Sequence, residues 1–310
     1  MTPILEVRNV VKQYGDYTAL NNVSLKVPKG SIYGLLGPNG AGKTSLIRII
    51  NQITMPDKGE ILLGGEKLSQ KHISEIGYMP EERGLYKSMK VGEQALYLAQ
   101  LKGLSKKEAK AQLDYWFERL EIQGWWNKKI QELSKGMAQK IQFVVTVLHK
   151  PKLLIFDEPF SGFDPVNANL IKDEILNLRD NGTTIIFSTH RMESVEEMCD
   201  DIALIHESNK LIEGPLHDVK KQYRSNTFEV GIAPANIEQF FAHMSLNTRY
   251  VSTKANFKTL DDELKLQITL PQGTTPRELL SYLVQQGDVT YFVEKIPSVN
   301  DIFIQTVSKK

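Results

Sequence analysis

The sequence predicts an α/β fold with a largely parallel sheet, preceded by an antiparallel β subdomain, interrupted by a helical subdomain and followed by a small α+β domain. Three observations carry that expectation. Apolar strand-like runs alternate with helix-period segments on both sides of one long helical stretch. A glycine-rich loop sits between the first fully apolar run and a helix. Near residue 223 the glycine-rich pattern gives way to a second, smaller set of strands and helices.

The elements follow in order. From 4 to about 61, ILEVRNVVKQY, ALNNVSLKV and GEILLGGEKL alternate as half-buried antiparallel strands do. SIYGLLG (31–37) is apolar almost throughout, as expected of a strand covered on both faces. Leu46, Ile47, Ile49 and Ile50 then place a helix over 43–51. Between about 85 and 140 the spacing turns helical, through Val91, Ala95, Leu98 and Leu101 and then Leu113, Trp116, Phe117 and Leu120. Strand and helix units resume with LLIF (153–156), a helix near 168–179, TTIIFSTH (183–190), a helix near 192–199 and DIALIHE (201–207). Strands separated by helices pair in parallel.

This divides the chain into a domain over 1–222, with its helical subdomain at about 85–140, and a C-terminal domain over 223–310. The second domain reads as strand 227–232, helix 235–244, strand 249–254, strand 263–270, helix 275–286, strand 289–294 and a last helix 298–307. That βαββαβ order with a terminal helix predicts a ferredoxin-like fold. Pro276 at the start of its second helix, with Pro271 and Gly273 before it, supports the boundaries there.

Composition limits the function classes. A chain of 310 residues, 41% hydrophobic and 24% charged, is long enough for one large and one small globular domain. A formal charge of +1 leaves no basic excess for nucleic acid, and none is expected as a partner. The single cysteine, Cys199, has no internal disulfide partner, as suits a reducing compartment. The first residues, MTPILEVRNV, lack the charged and apolar regions of a secretory signal. The longest apolar runs, FVVTVL (143–148) and LLIF, fall well short of the roughly 20 residues that span a bilayer. A membrane function would have to come through a partner.

The chemistry-bearing residues start at GPNGAGKT (37–44), which fits G-x-x-x-x-G-K-[ST]. Gly37, Gly40 and Gly42 permit the dihedrals that turn successive N–H groups toward a phosphate, with Pro38, Asn39, Ala41 and Ser45 completing the loop and the helix start. Lys43 supplies a charge to the β- and γ-phosphates, and Thr44 a hydroxyl for Mg²⁺. LLIFDEP delivers Asp157 and Glu158 to the C-terminal edge of a buried strand, Asp157 as a metal ligand and Glu158 as acceptor of a proton from attacking water. His190 ends another apolar strand at the same edge and can position groups at the γ-phosphate.

Taken in order, these motifs resemble the ATP-binding subunit of an ABC transporter over residues 5 to about 215. The resemblance implies that GPNGAGKT is the Walker A loop, LLIFDE Walker B, SGFD (161–164) the D-loop and His190 the switch histidine, and that Tyr14 in KQYG stacks on adenine. LSKGM (133–137) matches the signature usually written LSGGQ. In that family two cassettes pair head to tail, so Ser134, the Gly136 backbone and the helix start behind them would close on ATP held by a second cassette, making this chain a homodimer or a partner of another cassette. It further implies Mg²⁺ beside ATP, an integral membrane permease subunit, and a cytoplasmic position on the inner face of the cell membrane through that permease.

Two departures stand out. Lys135 and Met137 replace a glycine and the glutamine of the signature, with Lys135 expected to bring a cation near a bound γ-phosphate. In IGYMPEERGLY (76–86), Glu81 occupies the position where the Q-loop commonly has glutamine, and a carboxylate there can still bind Mg²⁺ or its water. Glu82 is the lesser candidate for that place. GYMPEERGLY and PSVNDIF (297–303) resemble sodium-efflux-type and drug or peptide exporters of bacteria. The implied function is export driven by ATP through a separate membrane subunit. The alternative is a soluble ABC ATPase acting on ribosomes or DNA, which would carry tandem cassettes or long heptad insertions that this chain lacks.

Overall fold

The structure is a computed structural model that describes residues 3–81, 84–234, 236, 238–240, 251–254, 264–271 and 273–308. It forms two compact units, one up to Leu216 and one over His217–Ser308.

In the first unit, β1 (Pro3–Tyr14) and β2 (Tyr17–Pro28) form an antiparallel pair to which β4 (Lys58–Leu63) and the short β5 (Glu66–Lys67) are added, in the order β2-β1-β4-β5. The second sheet runs β10-β9-β3-β8-β7-β6, comprising β3 (Ile32–Leu36), β6 (Ile76–Met79), β7 (Leu153–Asp157), β8 (Thr184–Thr189), β9 (Asp201–His206) and β10 (Asn209–Pro215). Every residue of β3, β7 and β8 is buried, which is why these runs are continuously apolar rather than alternating.

Helix α1 (Lys43–Ile50) lies in the core shared by the two sheets. Leu46, Ile47, Ile49 and Ile50 pack with Val7 and Leu25 of the antiparallel sheet and with Leu35, Ile155 and Ile186 of the parallel one. The one antiparallel member of the parallel sheet, β10, does not follow from DIALIHE. Glu207 and Ser208 both take positive φ (45° and 66°), the two-residue geometry that folds a strand back on its neighbour.

Between β6 and β7 run α2 (Val91–Leu101), α3 (Lys106–Arg119) and α4 (Lys135–Val147). Helix α3 starts at a Ser105/Glu108 capping box, and Trp116 meets Phe143 of α4 edge-on at 5.7 Å. Helices α5 (Pro165–Asp180) and α6 (Met192–Met198) cross between later strands.

The second unit begins at His217, one residue into α7 (Leu216–Gln222) and closer to the N-terminus than the expected boundary at 223. Its sheet has the order β12-β13-β11-β14, built from β11 (Thr227–Pro234), β12 (Val251–Lys254), β13 (Leu264–Thr269) and β14 (Gly287–Glu294), all antiparallel. That is the ferredoxin-like order. Helix α8 (Pro276–Gln286) starts at a Thr275/Glu278 capping box with Pro276 in its first turn, and buries Leu279 and Leu283 against Val230, Ile232 and Ile268. Helix α9 (Val299–Ser308) ends the unit. The helix expected over 235–244 and the start of the strand expected at 249 lie largely outside the described residues, as does Glu82.

Candidate functional site

Strand register brings the sequence motifs to one edge. In the parallel sheet Leu36 pairs with Thr189, and Asp157 with Ser188. The loop after β3, the carboxylates after β7 and His190 after β8 therefore emerge side by side at the C-terminal ends of adjacent strands, where open α/β sheets bind ligands.

The loop between β3 and α1 depends on two glycines. Gly37 has φ 146°, and a Cβ there would fall 2.0 Å from the Ile205 carbonyl oxygen; Gly42 has φ 113°, and a Cβ would fall 2.3 Å from the Ala19 carbonyl oxygen. Gly42 precedes α1 without any side-chain cap, so the first-turn N–H groups are left for an anion. Lys43 is buried and donates from Nζ to the carbonyl oxygens of Gly37 (2.7 Å) and Pro38 (3.0 Å). Burial pulls its pKa down, opposed by the carboxylates of Asp157, Glu158 and Glu81. Asn39, Gly40 and Thr44 are exposed, while Ala41 is buried and Pro38 and Ser45 are half-buried.

Asp157 closes β7 as a buried residue, and its carboxyl is pushed up chiefly by burial, with Glu81 and Glu158 acting in the same direction and Ser188 and Lys43 opposing. Next to it, Glu158 sits in left-handed backbone at φ 50°, unusual for a residue with a Cβ. Its N–H donates to Ser188 O at 2.9 Å. Its carboxylate accepts from Thr189 Oγ1 (3.1 Å), from the His190 N–H (2.7 Å) and lies 2.6 Å from His190 Nδ1. The backbone turn thus aims Glu158 away from Asp157 and across to β8. Sequence spacing places Glu158 and His190 at one edge but gives no sign of the direct contact or the positive φ.

Glu81 is exposed on the segment after β6, within electrostatic reach of Lys43, Asp157 and Tyr78. Gln142 of α4 holds that segment by donating from Nε2 to Pro80 O at 2.8 Å.

Tyr14 lies at the end of β1, 46% exposed, with the Lys12 ammonium 5.3 Å from its ring centroid. The tyrosine that touches the phosphate loop is Tyr17, whose hydroxyl donates to Gly40 O at 2.7 Å. No sequence signal distinguishes it from other exposed aromatics.

The signature residues lie at the start of α4. Ser134 is its N-cap and accepts from Met137 N–H at 3.2 Å, an arrangement that leaves its hydroxyl at the exposed helix end. Lys135 is exposed, but it does not point away from its own chain. Its stem crosses Gly162 and its Nζ donates to Ser161 Oγ at 3.4 Å, so its cation is turned to the D-loop of its own chain.

The ABC transporter family model matches residues 20–161, and a model described as the C-terminal domain of DrrA1-3-like ATP-binding proteins matches 214–307. The chain is 39% identical over 98% of its length, and 98% of the relative's, to the uncharacterized ABC transporter ATP-binding protein YhaQ of Bacillus subtilis (strain 168). It is 34% identical to the linearmycin resistance ATP-binding protein LnrL of the same organism, covering 92% of this chain and 96% of that one. A solved ATP-binding subunit of an ABC transporter superposes with a TM-score of 0.66 at 30% identity, over 71% of this chain and 93% of that one. The edge geometry, the motif order and these likenesses converge: the chain belongs to the ABC transporter ATP-binding proteins and is the nucleotide-binding, ATP-hydrolysing subunit of a transporter.

Proposed function

We propose that this subunit drives export through a separate membrane protein, with two cassettes closing head to tail on two ATP molecules. The observation that carries the catalytic half is Glu158, locked by His190 and Thr189 at the mouth of the phosphate loop. In this reading Lys43 leaves its two loop carbonyls for the phosphates, and the uncapped N–H groups of α1 receive the same charge. Glu158 takes a proton from the attacking water, and His190 positions that carboxylate and the γ-phosphate. Tyr14 offers an exposed ring for the adenine. Ser134 and the Gly136 backbone, at the start of α4, serve the nucleotide of the other cassette.

Thr44 and Asp157 present hard oxygen donors beside the phosphate loop, and Glu81, which acts electrostatically on Asp157, is the third candidate. Among the described residues no group of three or more Asp, Glu, His or Cys forms a metal cage of its own. The oxygen donors of Thr44 and Asp157 fit Mg²⁺, which is held by one or two protein oxygens together with substrate phosphates and would neutralise charge on them.

A groove of about 670 Å³ between the core and the helical subdomain suits the membrane partner. Ile53, Leu85, Leu98 and Leu101 give it apolar walls, with Ile53 62% and Leu101 65% exposed. Lys102 in its floor donates to the carbonyl oxygens of Ile73 (3.0 Å) and Ile76 (2.9 Å), and Pro80 and Gly84 on either side of Glu81 line the same groove. Movement at the nucleotide site thereby has a short route to whatever occupies it. Among the described residues no helix is long and apolar enough to cross a membrane. A peripheral place on the inner face of the cell membrane follows from the partner.

Export is supported by the likeness to LnrL, a resistance protein by its name, and by the GYMPEERGLY and PSVNDIF segments. The transporter subunits among the relatives favour this over a ribosome- or DNA-acting ATPase. The test is to capture the membrane subunit, reconstitute the complex in vesicles and measure ATPase stimulation and vectorial movement with sodium, peptides and drugs. ATP-driven movement out of the cytoplasmic side supports export; uptake or tight ribosome binding contradicts it.

A further inference from the structure

We infer that Lys135 is a positioning residue that fastens the first turn of α4 to the loop following Glu158, and so couples the two nucleotide sites of a cassette pair. This rests on the head-to-tail arrangement proposed above.

Four contacts define the clamp. A Cβ at Gly162, where φ is 89°, would lie 2.5 Å from Lys135 Cε and 2.7 Å from its Cγ, so the lysine stem occupies the space that glycine leaves. The Lys135 ammonium reaches Ser161 Oγ at 3.4 Å. One turn further along α4, the buried Gln139 donates from Nε2 to Pro159 O at 3.3 Å. Gly136 backs onto the same loop, where a Cβ would stand 3.3 Å from Gly162 O and 3.6 Å from the Phe163 ring. Lys135 is itself exposed, yet its stem lies along the neighbouring loop instead of extending away from the protein.

The consequence comes from what each end serves. The loop gripped by Lys135 and Gln139 starts at Glu158, whose strained backbone is tied to β8. Glu158 acts on the nucleotide of this chain's phosphate loop, whereas Ser134, adjacent to Lys135, acts on the nucleotide of the second cassette. When Glu158 exchanges its contacts during hydrolysis, the displacement of 158–161 is carried to the signature turn and hence to the other site. A glycine at position 135, as in the usual signature, has no side chain to do this.

The experiment measures ATPase rate against ATP concentration for the full chain and for Lys135→Met, Ser161→Ala, the double variant and Lys135→Arg, each checked for an unchanged melting transition. The full chain is expected to show a Hill coefficient near two, the number of sites in the pair. Lys135→Met and Ser161→Ala each bring it to about one, the double variant goes no lower, and Lys135→Arg restores it. The inference is overturned if Ser161→Ala keeps the full Hill coefficient while Lys135→Met loses it, since Lys135 then acts on phosphate directly. A Hill coefficient of one for the full chain, in a protein that dimerises with ATP, also overturns it. Failure of Glu158→Gln to dimerise with ATP would instead remove the head-to-tail arrangement itself.

Discussion

His190 Nδ1 stands 2.6 Å from Glu158 Oε1, and the His190 backbone N–H donates to the same oxygen at 2.7 Å. With Thr189 Oγ1 on the second carboxylate oxygen, the Glu158 side chain is tied from both sides to the end of β8. The general base proposed for Glu158 needs a fixed direction toward the water it would activate, and these contacts fix the carboxylate's direction.

Replacing Glu158 by glutamine keeps the shape and most of the hydrogen bonds but removes the proton acceptor. ATP binding should persist while turnover drops by about 10²- to 10⁴-fold, read from phosphate release and from nucleotide retained on the protein. His190→Ala should cost less, because the backbone N–H of residue 190 and the Thr189 hydroxyl still hold the carboxylate. Rapid steady-state turnover by Glu158→Gln would take the catalytic role from this residue.

Gly42→Ala forces a Cβ toward the Ala19 carbonyl oxygen at 2.3 Å in a left-handed backbone. The expected cost is about 3 kcal/mol of stability, with nucleotide binding lost as the loop shifts. Thermal melting with and without ATP checks both parts, and a variant that melts normally and is still stabilised by ATP would contradict the fit.

Glu81→Gln removes one negative charge from a group that also contains Asp157 and Glu158. ATPase activity should be retained, and half-maximal Mg²⁺ should rise by about three- to tenfold at fixed ATP, because an amide is the weaker ligand. An unchanged Mg²⁺ titration would exclude Glu81 from the metal's surroundings.

His149, at the floor of the groove, has its pKa held down at about 4 by burial and by the nearby Lys102 ammonium. Its ordinary value is 6.5, so between these limits the unfolded chain takes up a proton that the folded chain refuses. This contribution therefore weakens folding as pH drops from 6.5 to 4, by at most about 3 kcal/mol, and levels off below. His149→Gln should flatten that part of the stability profile, measured by denaturant unfolding across the same pH range.

Leu101→Glu places a charge on the exposed apolar wall of the groove. Recovery of the membrane subunit with the tagged protein should fall by more than about tenfold, from the loss of apolar burial and the cost of desolvating the new charge. Undiminished recovery would move the partner's docking site elsewhere.

Much of this is legible in the sequence because the relevant signals are local. The phosphate loop, the apolar strands leading to Asp157 and His190, and the helix that Pro276 opens each follow from residues within one turn or strand. What cannot be read there depends on long-range packing. The return strand β10 rests on two non-glycine residues at positive φ, Glu207 and Ser208, neither a typical turn residue there. Tyr17 reaches Gly40 only because the β1–β2 hairpin folds over the loop. The signature motif points Lys135 toward a bound phosphate, whereas the side chain lies on Gly162, a contact set by the meeting of α4 with a segment some 26 positions away.

The central claim is that one chain holds half of each composite site. Sedimentation of Glu158→Gln with and without ATP and Mg²⁺ tests it most directly, alongside the same protein carrying Ser134→Arg. The expected result is a 35.2 kDa monomer without nucleotide, a species of twice that mass with ATP, and a monomer throughout once the Ser134→Arg substitution blocks the signature face. A Glu158→Gln protein that binds ATP tightly yet stays monomeric, or a Ser134→Arg variant that dimerises equally well, would contradict the claim.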